Sequence, residues 1–157
     1  MSAFRFTRRA ALAAPFAWAA SLEIVSLPAS AAHRTPYGGV TVDVGPLLGN
    51  SGEPTAGWVA AELPGAIASA LAASGQGGSP VRVRIDYVIL GPSVVGPSGG
   101  SPDQMIGEVT RGGVTRPLRA TRFHYPSPED NVMIEQSNHR RVSLLVEAFA
   151  GWIAKGY

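Results

Sequence analysis

The chain has 157 residues, 45% of them hydrophobic and 15% charged, with thirteen basic against eleven acidic side chains and no cysteine. The missing cysteines exclude disulfides, iron–sulfur clusters, cysteine-bound zinc and thiol nucleophiles, so the fold must hold by packing alone. The length suits one domain behind a short leader, and is enough to build a core without a metal or a cross-link.

In Met1 to Arg9 all the charge is positive, carried by Arg5, Arg8 and Arg9, and a weakly apolar stretch follows from Ala10 to Leu22, interrupted by Pro15. Ala29-Ser30-Ala31 then supplies a small-x-small cleavage site, so residues 1–32 are expected to be a signal peptide cut near Ala31 or Ala32. Thr7, Arg8, Arg9 and Leu12 resemble the bacterial twin-arginine signal, whose usual Phe and Lys are replaced here by Ala11 and Ala13. That resemblance implies a periplasmic or secreted protein, with the general secretory route as the alternative way out. The apolar stretch has thirteen residues before Glu23, against the about 20 a transmembrane helix needs, so no membrane span is expected after processing. Removal of the leader takes three arginines and Glu23 with it and leaves ten basic and ten acidic residues. No basic footprint for nucleic acid remains.

Val40, Val42 and Val44 alternate with Thr41 and Asp43, which predicts a first strand ended by Gly45-Pro46. After a polar turn from Gly49 to Pro54, Thr55 is placed to cap a helix with Val59, Leu63, Ile67 and Leu71 on its apolar stripe. Pro64 predicts a kink near Glu62, or two short helices in series. The second strand, Val81 to Leu90, puts Val81, Val83, Ile85, Tyr87 and Ile89 on one face, with Arg82, Arg84, Asp86, Val88 and Leu90 on the other. Gly91 to Pro102 has four glycines, three prolines and three serines in twelve residues and reads as a mobile loop. Met105 to Thr110 and Leu118 to Tyr125 give the last two strands, joined through Gly112-Gly113 as a hairpin and stopped by Pro126.

Ser127-Pro128-Glu129-Asp130 has the form of a helix start, with two carboxylates facing the positive end of the dipole. Val142, Leu145, Phe149 and Trp152 line the apolar face of this terminal helix. The wholly polar run Gln136 to Arg141 favours a break near Ser137-Asn138 over one helix reaching Lys155. The order β-α-β-β-β-α predicts an α+β domain over residues 33–157: a four-stranded, mainly antiparallel sheet with both helices on one face. The other face is expected to be partly open and to carry Thr41, Asp43, Arg82, Arg84, Asp86 and Glu108.

Candidate chemistry is sparse. His33, His124 and His139 have no metal-site spacing, so no metal and no cofactor are expected; His33 reads as a chain end, with an N-terminal copper ligand as the alternative. Ser98 lies in a loop without the strand-to-helix context of a nucleophile elbow and reads as linker. Asp86 and Glu108, beside Arg82 and Arg84, fit a charge ladder better than a hydrolytic pair. Arg111, Arg116, Arg119 and Arg122 form a basic run across the hairpin that alternation splits between faces.

The element order behind an export signal resembles the small envelope proteins typified by the lipopolysaccharide-assembly lipoprotein of the outer-membrane translocon, and by auxiliary lipoproteins of envelope transporters. The likeness is one of element order, and the chain departs from those families in lacking the lipidated cysteine. It implies a non-enzymatic protein that binds an envelope protein or a lipid-associated component. The surface expected to do so is the sheet face with Arg82 and Arg84, or the glycine-rich loop. The alternative reading is a small-ligand or anion-binding module built on Arg119, Arg122 and Tyr125, and a third is a hydrolase using Asp86, Glu108 and His124. The residues specify no oligomeric state.

Overall fold

The computed structural model describes residues 34–37, 39–92, 101–125, 130 and 132–156. Arg8, Arg9, Ala29 and Ala31, expected to belong to a signal peptide, lie outside them, as do most of the glycine-rich loop and the helix start expected at Ser127 to Glu129.

The valine alternation does form a strand, β2 (Val40–Asp43), with Val40 and Val42 buried. It pairs antiparallel with a short strand ahead of it, β1 (Arg34–Tyr37), in which no apolar alternation announces a strand. Asp43 ends β2 by accepting the Gly45 N–H at 3.0 Å on Oδ1. Gly45-Pro46 thus stops the strand as expected, but it also opens a helix, α1 (Gly45–Ser51), because proline in a first turn gives up no hydrogen bond and its φ already suits a helix. Leu47 anchors α1 in the core, so part of the expected polar turn is helical.

The next helix, α2 (Thr55–Ala73), runs unbroken through Pro64 and buries Val59, Leu63, Ile67 and Leu71 as their spacing predicts. Pro64 is itself buried, so its ring contributes packing where it removes a backbone donor. Thr55 is the first helical residue and not the cap; the Glu53 carboxylate reaches in instead and accepts the Gly57 N–H at 3.0 Å.

Strand β3 (Val81–Ile89) lies parallel to β2, with α1 and α2 as the crossover between them. Strands β4 (Ser101–Arg111) and β5 (Val114–His124) continue antiparallel, giving a mixed five-stranded sheet in the order β1-β2-β3-β4-β5. The hairpin turns at Gly112-Gly113 with φ of +57° and +81°, the left-handed pair that a two-residue turn needs. Ser101 and Pro102, expected in the loop, are strand residues opposite His124 and Phe123.

The last helix, α3 (Ile134–Ala154), is continuous, so the break near Ser137-Asn138 is not found. Its polar first half is stable because two of those residues, Ser137 and Arg141, are buried with partners: Ser137 Oγ donates to Asp130 at 2.6 Å, and Arg141 pairs with Asp103. Val142, Leu145 and Phe149 are buried as expected, whereas Trp152 is exposed and carries the Lys155 ammonium 4.9 Å from its ring centroid. One apolar cluster joins Leu63 and Ile67 of α2, Leu145 and Phe149 of α3 and the inward side of β2 to β5. The α+β class is therefore as the sequence implies, with one more strand and one more helix among the described residues than the sequence patterns predict.

Candidate functional site

Both long helices pack on one side of the sheet, and among the described residues no helix covers the other side. What that side carries is set by a β-bulge. Strand β3 pairs regularly from Val81 to Ile85, then skips a residue: Ile85 opposes Gly107, and Tyr87 opposes Ile106. The extra residue is Asp86, and beyond it the alternation is inverted. Val88 is 8% exposed and belongs to the core, while Tyr87 and Ile89 stand 46% and 47% exposed on the open face. That reverses the sequence expectation for Tyr87, Val88 and Ile89.

Gly107 makes the bulge possible. A Cβ built there would lie 2.2 Å from the Arg84 carbonyl oxygen and 3.1 Å from Ile85 Cα, so the β3 backbone bends into space that only glycine leaves. The carbonyl side of the bulge is held by α1: Asn50 Nδ2 donates to the Asp86 carbonyl at 2.9 Å, and the Ser51 hydroxyl to the Val88 carbonyl at 3.2 Å.

The pairing register resolves the open face into rows that cross the strands. At one end Thr41, Arg82, Thr110 and Thr115 form the first row, and Asp43, Arg84, Glu108 and Pro117 the second. Past the bulge come Tyr87, Ile106 and Arg119, then Ile89, Gln104 and Thr121, then Pro102 and Phe123. Phe123 is 61% exposed. One end of the face is thus charged and hydroxylated, and the other largely apolar.

At the charged end Arg84 sits between two acids. Its Nε donates to Asp86 Oδ1 at 3.0 Å, and Nη2 lies 3.5 Å from Glu108 Oε2. The hydrogen bond to Asp86 raises the Arg84 pKa above its ordinary value, and the charges of Asp86 and Glu108 add to the rise. This is the charge ladder expected from the sequence. Around it lies a shallow basin of about 360 Å³ lined by Thr41, Asp43, Arg82, Arg84, Glu108, Thr110 and Thr115. The Thr110 and Thr115 hydroxyls bond each other at 2.7 Å.

The other sequence candidates do not converge. Arg119 is on the open face, but Arg116 and Arg122 alternate to the helix side, and Arg111 is committed to Gln76 through bonds of 2.6 and 2.8 Å. The hairpin arginines therefore form no common anion site, and Arg122 does not share a surface with Arg82 and Arg84. Asp86 and Glu108 are held apart by Arg84. His124 is seven residues along β5 from Pro117, the partner of Glu108, a distance of about 23 Å. Its Nε2 is buried and lies 3.4 Å from Asp130 Oδ2, in a cluster where Asp130 also accepts from Ser137 and Arg140. With Ser137 bonded to the acid and not to the histidine, the order of a nucleophilic triad is absent from that cluster.

A second exposed feature lies at the opposite side of the domain, where Trp58, Ile134, Glu53 and Glu135 border a groove of about 640 Å³ between the starts of α2 and α3. There His139 stacks on Trp58 with centroids 4.8 Å apart and bonds Glu62 at 2.6 Å. Among the described residues no three histidines or acids gather as a metal-binding group. By length and composition alone α2 could cross a membrane, but here its apolar stripe is part of the core.

Comparison with protein-family models finds no match to the chain, and comparison with curated proteins finds none. The functional reading therefore rests on the geometry. Tyr87 and Ile89, the apolar members of the open face, escape the alternation pattern. The signal that finds them is Gly107, a lone glycine inside a strand, which marks a bulge or a close backbone approach.

Proposed function

We propose that this chain is an exported, non-catalytic binding protein of the bacterial envelope, and that it binds through the uncovered face of its sheet. One observation carries the binding reading: Tyr87, Ile89 and Phe123 are exposed on the only side of the sheet that no described helix covers. Apolar side chains gathered on one rigid face, beside a charged border, have the composition of an interaction surface with an apolar centre and a polar rim. The export reading rests on the leader, with Arg8 and Arg9 ahead of an apolar stretch and Ala29-Ser30-Ala31.

Neither alternative has comparable support, since the hairpin arginines diverge and the acids flank an arginine. The envelope-binding reading is tested by expressing the chain with a C-terminal tag and a photo-crosslinking residue at Thr121, on the open face, or at Ala72, an exposed position of α2. The expected result is a processed protein in the periplasmic fraction that crosslinks from Thr121 and not from Ala72. An unprocessed protein in the cytoplasm would overturn the export reading, and equal or absent crosslinking from the two positions would overturn the face reading.

A further inference from the structure

Resting on the reading of the chain as an exported protein that binds through its exposed apolar residues, we infer that one end of the domain seats on the surface of a phospholipid bilayer. Phe123, Tyr125 and Val132 to Ile134 are the side chains that enter it.

The exposed apolar side chains are gathered at this end. Strand pairing puts the end of β3, the start of β4 and the end of β5 side by side, with Ile89 opposite Gln104 and Pro102 opposite Phe123. The ion pair of Arg141 with Asp103, and the approach of Asp130 to His124, seat the start of α3 at the same place. Of the nine large apolar side chains that stand exposed among the described residues, six are here: Ile89, Phe123, Tyr125, Val132, Met133 and Ile134. The other three, Tyr87, Val114 and Trp152, lie further down the open face, at the hairpin and near the end of α3.

These residues do not share one face. Phe123 belongs to the open side of the sheet, whereas His124 beside it turns to Asp130 and the start of α3, so Val132 to Ile134 stand on the helix side. They are carried on the tips of separate elements in two layers. A protein partner would need a cavity matched to such an end, but a bilayer interface is fluid and takes projecting apolar side chains without one. Tyr125, 73% exposed, has the apolar body and polar tip that suit the level of the headgroups.

Charge is complementary to phospholipid. Arg122 of β5 and Arg140 of α3 are exposed just behind the tip, where guanidinium groups can donate to headgroup phosphates. The starts of α2 and α3 border one groove at Trp58 and Ile134, so the positive ends of both long helices point toward this end, offset in part by Glu53 and Glu135.

The course of the chain agrees. Strand β1 is antiparallel to β2 and β2 is parallel to β3, which places Arg34 at the end of β1 nearer the apolar end of the domain. On the export reading the leader joins the domain from there. The leader is the segment that engages a membrane, so the apolar end is the part of the domain presented to the bilayer.

Cosedimentation of the processed protein, purified from the periplasm, with vesicles of phosphatidylethanolamine and phosphatidylglycerol in equal parts tests this. Phe123→Asp and Ile134→Asp alter the end on its two sides, and Val114→Asp, 54% exposed at the hairpin, makes the same change of charge at the other end. Wild type and Val114→Asp are expected to sediment with the vesicles, with binding weakened about 10-fold or more in each end variant, because each puts a charge where an apolar side chain enters lipid. An acid at Ile134 suits the first turn of α3, and circular dichroism is expected to be unchanged in all three variants.

Wild type that stays in the supernatant, end variants that bind as wild type does, or an equal loss in all three variants would overturn the inference. Crosslinking from Thr121 separates it from the reading on which it rests. A wild type that binds no vesicle but crosslinks a protein from Thr121 loses the bilayer and keeps the binding face; one that does neither loses both. Absence of a processed protein removes the export reading and the inference with it.

Discussion

Arg141 of α3 and Asp103 of β4 form an ion pair in which both side chains are at most 4% exposed. Arg141 Nε donates to Asp103 Oδ2 at 2.9 Å, and Nη2 donates both to Oδ1 and to the Gly91 carbonyl. The Gly91 N–H completes the set by donating to Asp103 Oδ1 at 2.9 Å. One buried pair therefore ties α3 to β4 and to the end of β3, at the root of the glycine-rich loop.

Arg141→Met is expected to destabilise the protein by about 3–5 kcal/mol, because it leaves the Asp103 carboxylate buried without its cation. The double variant Arg141→Met with Asp103→Leu is expected to recover much of that loss, since the desolvation of both charges disappears together. Urea denaturation of the two single variants and the double variant measures this. Additive losses would show that the two residues are not coupled.

Gly107→Ala tests the bulge. The added methyl meets the Arg84 carbonyl at 2.2 Å, a distance that flexible side chains cannot relieve because the obstacle is backbone. The expected cost is about 1–3 kcal/mol or more, with amide exchange accelerating in β3 around Arg84 to Val88. Gly65→Ala on α2, where a Cβ meets nothing within 4 Å, is the matched control and is expected to be neutral or stabilising.

The sequence reveals the fold wherever a segment obeys one period. Val40 and Val42, the stripe Val59 to Leu71, the hairpin at Gly112-Gly113 and the Val142 to Phe149 face are all where their spacing puts them. It fails where a tertiary partner overrides the local signal. Gln136 to Arg141 looks unable to stay helical until Asp103 and Asp130, distant or outside the helix, supply partners for Arg141 and Ser137. Strand β1 has no apolar period because its evidence is its pairing with β2. The candidate site is half legible for the same reason: Asp43, Arg82, Arg84 and Glu108 precede the bulge in register and fall where alternation puts them, and Tyr87 and Ile89 follow it.

Asp130 gives a prediction about the start of α3. It is 5% exposed and accepts from Ser137 at 2.6 Å and Arg140 at 2.9 Å, with His124 of β5 beside it. Asp130→Ala strands the buried Ser137 hydroxyl and should cost about 1–3 kcal/mol. The loss should be local, with faster amide exchange in the first two turns of α3 and little change around Phe149. Uniform acceleration along α3 would contradict this.

The neighbouring residues Val88 and Ile89 give the sharpest test of the open face, because the bulge exchanges their roles. Simple alternation from Val81 would bury Ile89 and expose Val88, whereas the structure buries Val88 and exposes Ile89. Val88→Arg places an unpaired cation beside Met105, its partner across β3 and β4, in the apolar core, and should cost about 4 kcal/mol or more, enough to unfold many domains of this size. Ile89→Arg puts the same charge into solvent and should change stability by no more than about 0.5 kcal/mol. Thermal melts of the two variants against wild type separate the two. The opposite ranking would mean that β3 runs without its bulge, and would take Tyr87 and Ile89 off the face on which the binding proposal depends.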